Sequence, residues 1–315
     1  MGTAAARAGN TVRMYARDQE QADAINCTHR NPKVALSEFE LPENMSATTD
    51  LAVALQDVDV IILSLPAQIL PVWLARHKDQ IPPKALLCNT AKGLYLQNRQ
   101  LQNEACLEAL GRDQPYAILS GPSFAKEIML NMPTAVVVAS KFLYHAVYIQ
   151  RMMSTLYFRV YTSQDVTGVE LGGSLKNPLA IGAGVIEGSG LGINTMAAYV
   201  TRSSLELMDL CKAMGGEPST ISGLSGIGDL MLTAFGNLSR NRTTGTRIAK
   251  GEKIEDITAT TTVEGVPTAQ VAVYFADKCG LELPIFRAVA GVLNGSLKIE
   301  EMHVHLMGRP LRQET

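Results

Sequence analysis

Short apolar runs alternate with helix-spaced stretches through the first half of the chain. Runs at 11–15, 58–64, 85–89, 117–120, 134–139 and 158–161 predict strands. Several are continuously apolar, as strands covered on both faces of a parallel sheet should be. Between them, 19–26, 68–77 and 100–110 carry helical spacing. Strand–helix alternation of this kind predicts an α/β domain with a doubly wound parallel sheet.

The pattern changes near Asp165. From there the chain is helical with glycine punctuation, as in "DVTGVELGGSLKNPLAIGAGVIEG", and Gly215-Gly216 reads as a helix stop. The expected organisation is an α/β domain over 1–163 and an all-helical domain over 164–315. No internal repeat or low-complexity tract interrupts either.

The opening "MGTAAARAGNTVRMYARD" reads as a short helix followed by a strand. Two readings of it stay open. Gly2-Thr3 followed by alanines suits the last glycine of a dinucleotide-binding turn and the helix behind it. A plain alanine-rich helix explains the same residues, because a lone glycine is a poor signal.

Composition narrows the classes. Of 315 residues 46% are apolar and 18% charged, with a net charge of −2, which suits a globular protein and gives no reason to expect nucleic acid or an anionic membrane as partner. Five scattered cysteines without a CxxC pair argue against a metal site or disulfide framework and for a reducing compartment. The most apolar stretch, "VDVIILSLPAQILPVWLA", carries Asp59, Gln68 and two prolines and is a poor membrane span. No secretory leader is read at the start.

Candidate chemistry sits in four places. "NTAKGL" puts Lys92 at the carboxyl end of a strand, where open α/β sheets bind ligands, or leaves it a solvated loop lysine. In "SGPSFAKE" Ser123 reads as the cap of a helix starting near Phe124, and the backbone there also suits a ligand oxygen. "GGSLKNPLAIGAG" surrounds Lys176 with glycines and apolar residues. Lysine is rarely buried without a partner and helical glycine costs about 1 kcal/mol, so the stretch is read as approaching a cofactor or substrate. Pro178 is expected to break the hydrogen-bond ladder after Asn177. Finally, Asp229 and Thr233 share a helix face. Beyond them, Ser239 caps a helix running to Lys250 whose entrance carries Arg240 and Asn241. Such an entrance is either a phosphate site or a solvated surface helix.

Taken in order, "NTAKGL", "SGPSFA", "GGSLKNPLAIGAG", "GLSGIGDLMLT" and "LSRNR" strongly resemble the NAD(P)-dependent glycerol-3-phosphate dehydrogenases of the bacterial and plastid-like branch, from Gly2 to about Arg309. The resemblance implies reversible reduction of dihydroxyacetone phosphate to sn-glycerol 3-phosphate, with NAD or NADP as cofactor and no metal. It implies that Lys176 is the proton donor and acceptor, with Lys92 and Asp229 beside it in the catalytic group. Substrate contacts carry over to Lys92, Gly121, Ser123, Asn177, Asp229, Thr233, Ser239, Arg240 and Asn241. Cofactor contacts carry over to Gly2, Arg17, Lys92, Ala125, Arg240 and Glu264. A homodimer in the cytoplasm is implied, or an organelle such as the plastid if a targeting segment stands upstream.

One departure accompanies the likeness. Family members begin with a strand and a complete G-x-G-x-[FW]-G-T, of which only Gly2-Thr3 stand here. The expected fold is therefore a Rossmann-type sheet lacking its first strand, with weak NAD(P)H binding and poor folding for the chain as written. Arg17 favours NADP and Asp18 NAD, with NADP tolerance expected. Two alternatives accompany this reading. The 3-hydroxyacid and 6-phosphogluconate dehydrogenases carry G-x-x-x-K-x-x-N, whereas Asn177 directly follows Lys176 and position 180 is alanine. A non-catalytic paralogue with a degenerate cofactor site is the other.

Overall fold

The computed structural model describes residues 1–32, 37–311 and 313, except for the side chain of His303. The chain divides into two compact units. One comprises Met1–Leu65, Ile69–Ala91 and Asn103–Val169, and the other Pro66–Gln68, Lys92–Gln102 and Glu170–Thr315.

The first unit is Rossmann-like. Strands β1 (Val12–Tyr15) and β2 (Met45–Thr48) pair in parallel as one small sheet. A second sheet has the order β3 (Val60–Leu63), β4 (Leu86–Asn89), β5 (Tyr116–Ser120), β6 (Thr134–Ala139) and β7 (Phe158–Ser163). Among the described residues β1 and β3 each pair on one side only. Six of these strands coincide with the apolar runs expected to form them, and β2 has no such run. Its "MSAT" buries Met45 and Ala47 around an exposed Ser46, a period-two pattern too short and weakly apolar to read.

The strands pair in parallel, as expected, except that β6 runs antiparallel to β5. Only the five-residue helix Ala125–Met129 lies between them. A parallel crossover needs a connection long enough to run back along the sheet, usually on a full helix. The opening residues do form a helix, Gly2–Arg7, whose Thr3, Ala4, Ala5 and Ala6 are buried. Ala4 and Ala5 join a core with Leu86, Cys88, Leu119, Val136 and Val160. Alanines allow that close seat. Arg7 then ties the helix end to the Ile128 and Met129 carbonyls, at 2.6 and 2.9 Å.

The second unit is helical. Its axis is the part of the long helix Val166–Gly188 from Glu170 onward, which is buried almost throughout and, with no face given over to solvent, belongs inside a bundle. Around it lie Ile193–Ala213, Asp229–Phe235, Arg240–Ala249, Gly265–Lys278 and Pro284–Leu293. The core includes Leu171, Leu175, Leu179, Leu210, Val271, Phe275 and Phe286. The helix Ile193–Ala213 stops before Gly215, whose φ of +83° favours glycine.

Pro178 lies inside the long helix, where it has no N–H to continue the hydrogen-bond ladder, and the helix runs on past it. One expectation about this helix is corrected: its glycines serve helix-on-helix contact. A Cβ on Gly184 would stand 2.0 Å from the Arg242 carbonyl oxygen, and one on Gly245 would stand 1.9 Å from that of Ile181. The two backbones cross at a distance that only glycine on both sides allows. Among the described residues no helix is long and apolar enough to cross a membrane, no cluster suits a metal ion, and no two cysteines form a disulfide.

Candidate active site in the helical unit

Lys176 lies midway along the long helix and is 5% exposed. An unpaired cation at that depth would be very costly. Here it donates to Asp229 Oδ1 at 2.7 Å and to Thr233 Oγ1 at 2.6 Å. The other carboxylate oxygen, Oδ2, accepts from Lys92 Nζ at 2.7 Å. A single buried anion thus joins two cations.

Local structure explains why Asp229 reaches that point. It is the first residue of the helix Asp229–Phe235. Immediately before it stands a π-helical turn, Leu224–Gly228. A Cβ on Gly172, one turn ahead of Lys176, would come within 2.9 Å of the Ser225 carbonyl in that turn. Glycine there brings the two backbones together and shortens the reach from Lys176 to Asp229. Thr233 follows one turn on, and its hydroxyl also donates to the Asp229 carbonyl at 2.6 Å.

The electrostatics follow from this packing. Burial lowers the Lys176 ammonium from its ordinary value to about 8; the Asp229 charge and hydrogen bond oppose the shift and the Lys92 cation adds to it. A lysine so placed can hold or release a proton near neutral pH, as a general acid or base must.

A set of amides anchors the surroundings. Asn177 Nδ2 donates to the Lys92 carbonyl at 2.6 Å, and Asn241 Nδ2 donates to Asn177 Oδ1 at 2.9 Å. Asn241 Oδ1 in turn accepts from Gly265 N at 3.1 Å. Ser239 caps Arg240–Ala249, as its position suggested, with Oγ accepting from Arg242 N at 3.2 Å. Arg240 is exposed at that helix entrance. Glu264 Oε1 accepts from Ala67 N at 2.9 Å. Lys92, Lys176, Asn177, Asp229, Thr233, Ser239, Arg240, Asn241 and Glu264 therefore all belong to the helical unit.

The remaining candidates lie in the first unit. Gly121 and Ser123 follow β5, and Gly121 has φ +129°. The expected Ser123 cap is not made. The helix starts at Ala125 after Phe124 with no side-chain cap, and Ser123 Oγ donates instead to the Gly121 carbonyl at 2.9 Å. Arg17 is exposed just past β1, whereas Asp18 caps the helix Gln19–Thr28 by accepting from Gln21 N at 3.3 Å. Gly2 begins the first helix.

Sequence reading passed over Gln68 and Gln102. Gln68 Nε2 donates to the Leu94 carbonyl at 2.7 Å, and Gln102 Nε2 to that of Ala67 at 3.0 Å. Their only sequence signal is polar character at the margin of apolar runs, which most surface glutamines share.

The carboxyl ends of the first unit's strands have features that suit a nicotinamide dinucleotide. Ser120, at the end of β5, keeps a buried hydroxyl with no hydrogen-bond partner among the described residues. Arg17, past β1, is exposed. Open α/β sheets bind ligands at such ends.

Comparison with known proteins agrees with this architecture. Residues 1–145 match the family described as NAD-dependent glycerol-3-phosphate dehydrogenase N-terminus, and residues 165–304 match its C-terminus. A chloroplastic glycerol-3-phosphate dehydrogenase [NAD(+)] of Arabidopsis thaliana is 42% identical over 97% of this chain and 73% of its own length. A glycerol-3-phosphate dehydrogenase [NAD(P)+] of Corynebacterium aurimucosum is 40% identical over 98% of the chain and 94% of its own. The crystal structure of glycerol-3-phosphate dehydrogenase from Coxiella burnetii superposes with a TM-score of 0.90 at 32% identity, covering 98% of this chain and 94% of that one. The chain belongs to the NAD-dependent glycerol-3-phosphate dehydrogenase family.

Proposed function

We propose that this protein catalyses the reversible reduction of dihydroxyacetone phosphate to sn-glycerol 3-phosphate with NAD(P)H. The observation that carries the reading is the Asp229 carboxylate held between the Lys176 and Lys92 ammoniums. Reduction of a ketone leaves an alkoxide that needs a proton, and Lys176 is buried, oriented and tuned to donate one. In the reverse direction the neutral amine takes the proton from the alcohol. Asp229 and Thr233 fix the amine's direction, so the donor is aimed before substrate arrives. Lys92 keeps a second cation beside the carboxylate and favours the developing alkoxide.

The phosphate is assigned to the entrance of Arg240–Ala249, where Ser239, Arg240 and Asn241 stand at a helix N-terminus. Asn177, Gly121 and Ser123 are assigned to the rest of the substrate. NAD or NADP is assigned to Gly2, Arg17, Ala125, Lys92, Arg240 and Glu264. Bound there it supplies the hydride for the carbonyl carbon. Arg17 favours tolerance of the 2′-phosphate, because Asp18 is already engaged as a helix cap. Domain limits of 1–163 and 164–315, a homodimer, and a cytoplasmic or plastid location complete the reading.

The test is oxidation of NADH and of NADPH by the purified chain with dihydroxyacetone phosphate, set beside reduction of NAD+ and NADP+ with glycerol 3-phosphate, 6-phosphogluconate and 3-hydroxyisobutyrate. Turnover confined to the triose phosphate pair supports the assignment. Turnover on either acid, or on none of them, overturns it.

A further inference from the structure

We propose that Glu264 is a positioning residue for Lys92: its carboxylate pins Pro66–Gln68 against the start of Lys92–Gln102 and thereby fixes where the Lys92 ammonium meets Asp229. The inference rests on the dehydrogenase reading for its kinetic consequences, but its geometry stands apart from it.

Three backbones converge on this carboxylate. Glu264 directly precedes the helix Gly265–Lys278. Its Oε1 accepts from Ala67 N at 2.9 Å. Its Oε2 lies 2.8 Å from where a Cβ on Gly93 would be, and the Ala67 Cβ lies equally close to that point. Gly93 is the residue after Lys92, so the carboxylate presses on the peptide that carries the lysine. Glycine is required there because any side chain would strike either the carboxylate or Ala67.

The surrounding hydrogen bonds close the same joint. Gln102 Nε2 holds the Ala67 carbonyl at 3.0 Å, while Gln68 bonds Leu94 and Leu96 at 2.7 and 3.0 Å. Thr268, one turn beyond Glu264, accepts from Leu94 N at 3.4 Å. The Lys92 carbonyl is held in turn by Asn177, through Asn241, from Gly265 N. Glu264 and its neighbour Gly265 therefore both act on the backbone around Lys92.

The charged group facing Glu264 is Arg240, at the start of the neighbouring helix. Burial raises the Glu264 carboxyl above its ordinary value, and the backbone bond from Ala67 and the Arg240 charge restrain the shift. Geometry gives the carboxylate a mechanical task, because an amide of the same shape would still accept from Ala67 N.

That difference is the test. Glu264→Gln keeps an acceptor at Oε1, and Glu264→Ala removes it. Amide hydrogen exchange, followed by mass spectrometry on the whole protein, is expected to accelerate at least about fivefold over 67–68 and 92–102 in Glu264→Ala, with Glu264→Gln close to the parent. Kinetically, the Lys92 cation lowers the Lys176 pKa, so releasing it should shift the pH profile of glycerol 3-phosphate oxidation to higher pH in Glu264→Ala and leave it in place in Glu264→Gln. Unchanged exchange in Glu264→Ala overturns the proposal. So does an equal loss of NAD(P)H affinity in both variants without faster exchange, which would make Glu264 a charge contact alone. Should the parent chain not turn over dihydroxyacetone phosphate while the exchange pattern holds, the activity assignment fails and the positioning role remains.

Discussion

Lys176 Nζ and Asp229 Oδ1 lie 2.7 Å apart in a pair whose side chains are 6% and 1% exposed. The carboxylate's second oxygen is bonded to Lys92, at 2.7 Å, whose side chain is 22% exposed. The three groups therefore form a graded arrangement, with a buried amine, a buried anion and a cation partly open to solvent. Because burial sets the first group's proton affinity and the other two adjust it in opposite directions, substitutions should separate the effects.

Removing the amine tests its role directly. Lys176→Ala should lower turnover by about 10²- to 10⁴-fold, the usual range for general acid help, with NAD(P)H affinity changed only a few-fold. In the parent, the rate of ketone reduction should fall as pH rises through about 8, because the protonated amine is the active form. Alcohol oxidation should rise across the same interval. Steady-state rates in both directions give the answer, and matching slopes in the two directions would count against the assignment.

Asp229→Asn keeps the shape and removes the anion. Lys176 then loses the charge that holds its pKa up, so the oxidation profile should move to lower pH. Breaking a buried pair also leaves an uncompensated charge, at a cost of about 3–5 kcal/mol. Urea unfolding and a pH series on the same preparation read both, and an oxidation profile that stays in place would show that Asp229 does not control the amine.

Glu206 offers a separate pH effect, remote from catalysis. Its carboxylate accepts from Ile285 N and Phe286 N at the start of Pro284–Leu293. Burial still raises it to about 7, with those bonds and the Arg309 and Arg202 charges opposing. A group whose folded pKa exceeds its unfolded one contributes stability below the unfolded value and loses it as pH climbs through the folded value. Relative to Glu206→Gln, the parent should lose on the order of 2–3 kcal/mol between about pH 5 and 8. Parallel stability curves for the two proteins would refute this.

Gly184→Ala tests the backbone crossing. The new methyl would stand 2.0 Å from the Arg242 carbonyl oxygen, so the helix Arg240–Ala249 must move. The expected loss is about 1–3 kcal/mol of stability, accompanied by a raised KM for the phosphorylated substrate, since Ser239 and Arg240 stand at that helix's entrance. A thermal melt with substrate kinetics checks both, and an unchanged KM would detach the helix from substrate binding.

Hydrophobic spacing alone located six strands, the change to helices after Asp165, the Ser239 cap and the shared face of Asp229 and Thr233. Those features are local: a run of apolar side chains or a capping hydroxyl acts within a few residues of itself. Five ordered motifs added the family and its candidate residues. Tertiary structure alone decided the rest. The antiparallel turn into β6 depends on how far a five-residue helix reaches. The glycines around Lys176 fit neighbouring backbones, some from more than fifty residues away, which no periodicity can encode. The joining of Lys92 to Lys176 through Asp229 likewise spans 137 and 53 residues. A charge's environment is set by what folds around it, so the family likeness names Lys176 as the proton carrier, while its burial and its contact with Asp229 and, through it, Lys92 are visible only in three dimensions.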